Sequence, residues 1–597
     1  MKRSISMLLA GVLLGVSCAG TDLDSPQPQP AEVTEPITTP EVPEAPISVA
    51  NETLETIRRR LDSPLGDADR VIALEALAAD TWLLRDGTLL DVSAGVPWGG
   101  GEGATTSQLR LLHSLLLVHD LVATDVPQDL DTAFELVEDW AASNPRQSPA
   151  HHMAWHDETT ARRTTALIRL HDGYVRAEAS AEIDPGGDRR GQLESLISSH
   201  LELLLDDEFH ATGTNHGMFQ DRAALLASAY LAHRSGSTSE TDRAWSIASA
   251  RLVEYYQSAI SDEGVHLEHA PAYHQLIAAS ARADGEFLTA LDDPAAGAVL
   301  AAAHADMVRY ATHVVQPDGT WPLVSDTFSD QTPRLSLWDE PEYRYAASAG
   351  DQGHPPDDLA VAFEDAGYVI MRDRWTDDGL ATYLHFTAAY HTDYHKHADD
   401  LSVWLYHDGP LLTELGPNGY SMDDPLVQCA YSDDAHNIAT VDGLDLPRTD
   451  DRIGATRITT SDLTGDRWTA TGINERIDGV AFERDIAYEP AAGIVEVVDR
   501  IQNDRPRAGR LRWHLDPTVT ATPGGTDHEL LLTRSGHEPV TVQFSSDAAI
   551  EVDILEADAD DCVGLRFGGG EPTATTALEI RTEIGRSIEL TSRFELP

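Results

Sequence analysis

From about residue 52 to residue 315 the apolar positions recur every three or four residues, the period that gathers side chains on one helical face. Leu109, Leu112, Leu116 and His119 share such a face, behind the cap candidates Thr105, Thr106 and Ser107. Leu193, Leu196, Ile197 and Leu201 form another, and the same pattern covers residues 70–84, 130–142, 160–174, 222–233, 244–260 and 273–291. Helices joined by short polar breaks, with few strand signals, predict helical hairpins wound into a toroid rather than a four-helix bundle. No repeat of fixed period accompanies them. Past Pro322 the pattern shortens to runs rich in β-branched and aromatic residues, at 383–386, 401–406, 438–441, 467–470, 494–498, 510–515 and 540–544. Turn signals such as His407-Asp408-Gly409 and Gly524-Gly525 separate them, so the C-terminal half is predicted as an antiparallel β-sandwich.

The first 50 residues follow neither pattern. Met1-Lys2-Arg3, the apolar run Ile5–Val16 and then Ser17-Cys18 have the charge, hydrophobic core and small-residue cleavage site of a secretory leader. Leu14-Gly15-Val16-Ser17-Cys18 resembles a bacterial lipobox, which predicts lipidation of Cys18; simple secretion with Cys18 lost is the alternative. Residues 18–50 are rich in Pro, Thr and Glu and predict an extended tether. The expected organisation is thus a lipoprotein-type signal peptide over 1–17, a linker over 18–50, a toroid over 51–320 and a sandwich over 321–597. The protein is expected to be exported and either lipid-anchored at a bacterial cell envelope, outer membrane or periplasm, or secreted.

A length of 597 residues calls for more than one core, and the net charge of −58, from 100 acidic and 42 basic residues, argues against a nucleic-acid or anionic-membrane binder. Membrane association is therefore expected only through Cys18. A local basic cleft for an anionic ligand remains compatible with this charge, since screening limits its reach to about 8 Å. No later run approaches the roughly 18 apolar residues of a membrane-spanning helix. Past Cys18, Cys429 and Cys562 are the only cysteines, able to pair in an oxidising compartment. Oligomeric state is not legible.

Candidate chemistry gathers in three places. Residues 390–400, Tyr-His-Thr-Asp-Tyr-His-Lys-His-Ala-Asp-Asp, lead into the apolar run from Leu401; in an extended chain His395, His397 and Asp399 would share a face, with Lys396 pointing away. Thr212-Gly213-Thr214-Asn215-His216-Gly217 breaks two helical runs, and Gly264 to His274, with Glu268 and Tyr273, enters another at Pro271. The plain alternatives are a His-rich polar loop, a connecting turn and a polar cap. His397, Glu414 and His436 would make two imidazoles and a carboxylate suited to zinc, while His397, Asp399 and His436 would make an iron-type facial triad. Trp155, Arg162 and Arg163 are candidates for contacting a sulfate or carboxylate, against a solvated helix start.

Taken in order, Asn215-His216, the Glu-x-x-Pro-x-Tyr-His of Glu268 to His274, His395-x-His397-x-Asp399, Glu414 before Gly416, and Ala435-His436-Asn437 resemble the heparinase II/III-like polysaccharide lyases. The resemblance runs from about Trp155 to the C-terminus and includes Val498-Asp499-Arg500 and Trp513 to Pro517. It implies an α+β multidomain fold, an N-terminal incomplete (α/α) toroid followed by a C-terminal antiparallel β-sandwich. It also implies β-elimination on a uronic-acid-containing anionic polysaccharide or oligosaccharide. Asn215 and His216 match the positions that neutralise the uronate carboxylate, and Tyr273 and His395 those that act as base and acid. Tyr420 is favoured over Tyr431 for a further catalytic tyrosine, leaving Tyr431 with Trp155, Arg162 and Glu268 as substrate-binding candidates. One divalent metal, zinc favoured over calcium, is implied at His397, Glu414 and His436. This chain has Glu414 where many relatives have Asp, and Tyr431 where many have Arg. Two other readings are a toroid glycoside hydrolase using Asp157 and Glu268 and a non-catalytic glycan-binding surface lipoprotein. Which polymer is cut, and whether by endo or exo action, is not legible.

Overall fold

The computed structural model describes residues 51–61, 64–101, 103–180, 188–375, 381–568 and 571–597. The expected signal peptide, Cys18 and the linker lie outside the described residues. The chain falls into two compact units, one running to Ser258 and including Ala281–Ala301, the other formed by Ala259–Ser280 and Ala302–Pro597. Glu268 and Tyr273 therefore belong to the same unit as His395.

The first unit is helical. Pro127–Ser143 starts on a proline and buries Leu130, Ala133, Phe134, Val137 and Trp140 along one stripe. Two helices that carry site residues, α1 (Asp157–Ala179) and α2 (Asn215–Ser235), pack against each other and against Arg189–Leu204. Both are buried on most of their circumference, so their polar side chains must be partnered internally. Two expectations change in detail. The stripe from Leu109 to His119 is not one helix but two, Thr106–His113 and Leu117–Val122, broken where Leu115 adopts φ +55°. Arg163 Nη1 donates to the His113 carbonyl at 3.0 Å, so that carbonyl is held at the break by a buried guanidinium. Helix 70–84 is likewise shorter, ending at Ala78, and the next residues form a small hairpin, Thr81–Leu83 with Leu89–Asp91.

In the second unit every strand pair is antiparallel. Ala360–Phe363, Tyr368–Arg372, Thr382–Thr387, Val403–His407 and Pro410–Leu412 form a five-stranded sheet in sequence order. An eight-stranded sheet centres on Ile494–Arg507 between Val480–Glu489 and Gly585–Glu595, and a four-stranded sheet contains Gly509–His514 and Ala439–Val441. The five-stranded sheet is buried on both faces, and strand alternation explains how. Val369, Met371, Leu384, Phe386, Val403 and Leu405 point into the sandwich core with Phe482, Val497, Trp513 and Phe594. Their neighbours Tyr368, Ile370, Tyr383, Trp404 and Tyr406 point the other way, onto Val265, Ala272, Tyr310 and Val314. The sheet is thereby locked to the segment that carries Tyr273.

Several motif pieces have structural work here. Asn437 Nδ2 donates to the carbonyls of Val403 (2.9 Å) and Thr413 (3.0 Å) and its Oδ1 accepts from His514 N (2.7 Å), tying three strands together beside His436. Asp499 holds the buried Arg484 at 2.7 and 3.0 Å, and Arg484 Nη1 donates to the carbonyls of Leu401 and Asn437, both at 2.6 Å. Cys429 and Cys562 form a disulfide across a separation of 133 residues. Closing so long a loop restricts the unfolded chain, so Cys429→Ser with Cys562→Ser should lower unfolding free energy by about 2–5 kcal/mol. Guanidinium melts of the two proteins check this, and coincident midpoints would contradict it.

Candidate active site

Helix α3 (Pro271–Ala290) places Tyr273 on its first turn, with only 2% of the residue exposed. Its ring stacks on His395, centroids 3.5 Å apart and planes 22° from parallel, and its hydroxyl lies 3.1 Å from that of Tyr420. His395 Nδ1 donates to Asp326 Oδ2 at 2.8 Å, while the Glu268 carboxylate lies 3.4 Å from Nε2. The other Asp326 oxygen accepts from His397 Nε2 at 2.9 Å and from the Tyr431 hydroxyl at 3.0 Å. Burial pushes the Asp326 carboxyl up, but the hydrogen bonds and charge of the two imidazoles more than offset it and hold it well below the usual range. Tyr431 is pushed far up by burial and by the Asp326 charge, so it stays a donor.

The loop bearing His395 and His397 is not extended, which corrects the shared-face expectation. His395 adopts φ +55° and Leu401 φ +69°. The cause is Lys396, wholly buried and bonded to Asp399 and to Asp400 (3.1 Å), three and four residues on, which curls the chain on itself. Asp400 also accepts from Arg476 at 2.8 Å, and Asp399 from Ser325 Oγ at 3.0 Å. Such a buried charge needs this full set of partners. Asp399 is thus committed to Lys396 and Ser325, leaving the iron-type triad without its carboxylate. From the helix side, His269 (φ +68°) clamps the loop: its Nδ1 donates to the Tyr394 carbonyl and its Nε2 accepts from His391 N, both at 3.2 Å.

Of the three expected metal ligands, the structure brings two together. His436 Nδ1 lies 3.0 Å from Glu414 Oε2, and the His397 ring is centred 5.4 Å from that of His436 with its Nε2 turned to Asp326. Glu414 Oε2 and both His436 nitrogens are buried without a hydrogen bond, an arrangement that fits a cation better than it fits the protein alone. Burial lowers the His436 pKa, but the Glu414 charge outweighs it and the net shift is upward. Among the described residues, the group whose donors lie within 4.8 Å of one another is a different one, His156, Asp157 and His216, and it too is able to hold a metal ion.

That second group belongs to the first unit. Asp157 opens α1, and its Oδ1 lies 2.8 Å from His156 Nδ1 and 3.0 Å from His216 Nδ1. Asn215, buried, and His216 open α2, capped by Thr214, whose side chain accepts from Gly217 N. Only glycine fits at 217, because a Cβ there would lie 2.4 Å from the Ala211 carbonyl oxygen. Glu158 is buried between Arg110 (2.8 Å) and Arg162 (2.7 Å). Despite its burial, these arginines hold its pKa down at about 2. Burial raises the Asp157 pKa, but its imidazoles bring it well below the usual value, the opposite of what a hydrolytic acid needs. His216 is penalised by burial, yet Asp157 raises its pKa, favouring the imidazolium. Two expected substrate contacts prove engaged within the fold. Arg162 pairs with Glu158, and Trp155 packs on Trp140 and His200 at 5.3 Å each, donating its Nε1–H to the Asn144 carbonyl at 2.9 Å. Asp326 is the residue that sequence reading missed; only its polar place in Leu323-Val324-Ser325-Asp326, where helices give way to strands, marks it.

A helical unit and antiparallel sheets make the expected toroid-and-sandwich fold, with a tyrosine stacked on a histidine at the candidate site. Residues 355–584 match the family model for the Heparinase II/III-like C-terminal domain. Solved structures of the same fold include heparinase III, at 14% identity over 92% of this chain and 93% of that one, with a TM-score of 0.73. A mutant of heparan sulfate lyase HepC from Pedobacter heparinus shares 15% identity over 91% and 87% of the chains (TM-score 0.66). The heparinase III BT4657 gene product shares 12% over 90% and 86% (TM-score 0.65). No curated protein matches the sequence.

The Glu158 pairing has a pH signature. A carboxylate with a depressed folded-state pKa contributes stability in full above its ordinary value of 4.5, and that contribution is lost as pH falls toward about 2. Glu158→Gln, which breaks a buried ion pair, should cost about 3–5 kcal/mol at neutral pH. Melting temperatures of both proteins between those two pH values should converge on acidification; a constant gap would contradict the assignment.

Proposed function

We propose that the protein cleaves a uronate-containing polysaccharide by β-elimination, leaving an unsaturated uronate end. The observation that carries this reading is Tyr273 stacked on His395 with a second phenol, Tyr420, at 3.1 Å. In the reaction a base takes the C5 proton, the charge passes into the C6 carboxylate, the bond from C4 to the glycosidic oxygen breaks and an acid protonates the departing oxygen. Tyr273 and His395 supply base and acid, with Tyr273 as donor to the leaving oxygen when His395 takes the proton. Tyr420 holds the Tyr273 hydroxyl in line, and Glu268 and Tyr431, beside His395 and Asp326, are assigned to substrate contact. Asn215 and His216 are assigned to neutralising the carboxylate; the upward pKa of His216 supports a charged donor, the kind of group worth about 10²–10³ in rate.

Glu414 and His436, together with His397, are proposed to hold one divalent cation, zinc in preference to calcium given two imidazoles and one carboxylate. Bound there, the cation supplies charge that orders the strand ends and activates no water. Export is proposed on the leader, with lipid anchoring through Cys18, and the Cys429–Cys562 disulfide fits an oxidising compartment. Heparan sulfate, named for one of the structural neighbours, is the first polymer to test.

Ultraviolet absorbance from unsaturated uronate should rise when purified protein meets its polymer, and Tyr273→Phe or His395→Ala should lower that rate at least about 100-fold. Saturated products from the wild type would refute the reading. Elemental analysis should find one equivalent of metal in the wild type, lost in Glu414→Ala and in His436→Ala; equal metal in all three would refute the cation assignment.

A further inference from the structure

The Asp326 carboxylate, 1% exposed, divides its oxygens between two imidazoles. Oδ2 accepts from His395 Nδ1, and Oδ1 accepts from His397 Nε2 and the Tyr431 hydroxyl. We propose that Asp326 is a positioning residue for the reaction, fixing His395 with its proton on Nδ1 so that Nε2 is the atom that exchanges a proton with substrate. This rests on the lyase reading of the same site.

A neutral imidazole carries one proton, and a carboxylate, which only accepts, draws it to the facing nitrogen. Here that nitrogen is Nδ1. A flip of the ring would lose the 2.8 Å bond, and stacking on Tyr273 at 3.5 Å holds its plane. The carboxylate is itself kept from turning, because its other oxygen has two donors at 2.9 and 3.0 Å. Its backbone is anchored as well: Ser325, at φ +50°, donates to Asp399, in the loop that carries His395. Glu268, 3.4 Å from Nε2, is the rival orienting group and would favour the opposite proton position.

Nitrogen-15 labelling of histidine in the full chain, with His395→Gln to assign its signal, reads the proton position at alkaline pH. Wild-type His395 should be protonated on Nδ1, and Glu268→Gln should keep that form. Asp326→Asn, whose amide can donate to Nδ1, should move the proton to Nε2 and lower kcat on a cleaved polymer about 10²–10⁴-fold. KM should stay within about threefold, since the amide oxygen can still accept from Tyr431, the substrate-contact candidate. A wild-type proton on Nε2, or an Asp326→Asn enzyme with unchanged kcat, would overturn the proposal. If Asp326→Asn does not fold, the wild-type and Glu268→Gln spectra decide between the two carboxylates. A wild type that cuts no uronate polymer would refute the lyase reading, while those spectra still decide the orientation.

Discussion

One buried carboxylate sets the geometry of the candidate site. Asp326 accepts from His395, His397 and Tyr431 at once, so three side chains from the loop after Tyr390 and the helix before His436 are placed by a single group. An ionised carboxylate in such a place is costly unless both its oxygens are hydrogen-bonded. Three charge-assisted bonds meet that need, and they also make the arrangement all-or-none: losing one donor weakens the hold on the others.

A second buried set keeps the histidine loop in the shape Asp326 requires. Lys396 lies against Asp399 and Asp400, and Arg476 shares Asp400, so the chain between His395 and Leu401 is curled rather than pleated. At the far end of the loop Arg484, paired with Asp499, takes the Leu401 and Asn437 carbonyls. Residues kept in the left-handed region cost roughly 1–3 kcal/mol each, and His269, Ser325, His395 and Leu401 are all there. The five-stranded sheet, packed on one face into the sandwich core and on the other onto Val265, Ala272, Tyr310 and Val314, supplies the rigidity that holds them.

The periodicities were sufficient for the fold class, because helices buried on a stripe and strands buried on alternate residues leave their period in the sequence. Ordered motifs likewise pointed to Tyr273, His395, Glu414 and His436. What escaped were effects of distance and burial. Asp326 is 69 residues from His395 and 71 from His397, and nothing local marks it as their partner. Residues 395–399 do not alternate because the buried Lys396 pairs forward along its own loop, a tertiary demand that overrides local geometry. Trp155 and Arg162, the candidates for contacting a sulfate or carboxylate, are half-buried and also bonded within the helical unit, to the Asn144 carbonyl and to Glu158. That Cys429 and Cys562 could pair was legible in composition, since no other cysteine follows Cys18; that they do pair is read from the fold.

β-Elimination consumes no water, which separates it from hydrolysis at the level of atoms. Digestion of a uronate polymer in heavy-oxygen water, followed by mass spectrometry of the fragments, therefore tests the central claim most directly. The stacked Tyr273–His395 pair predicts fragments that gain no solvent oxygen as the bond is cut and carry a double bond at the new non-reducing end. Heavy oxygen at the new anomeric carbon, with saturated sugars on both sides of the break, would contradict it.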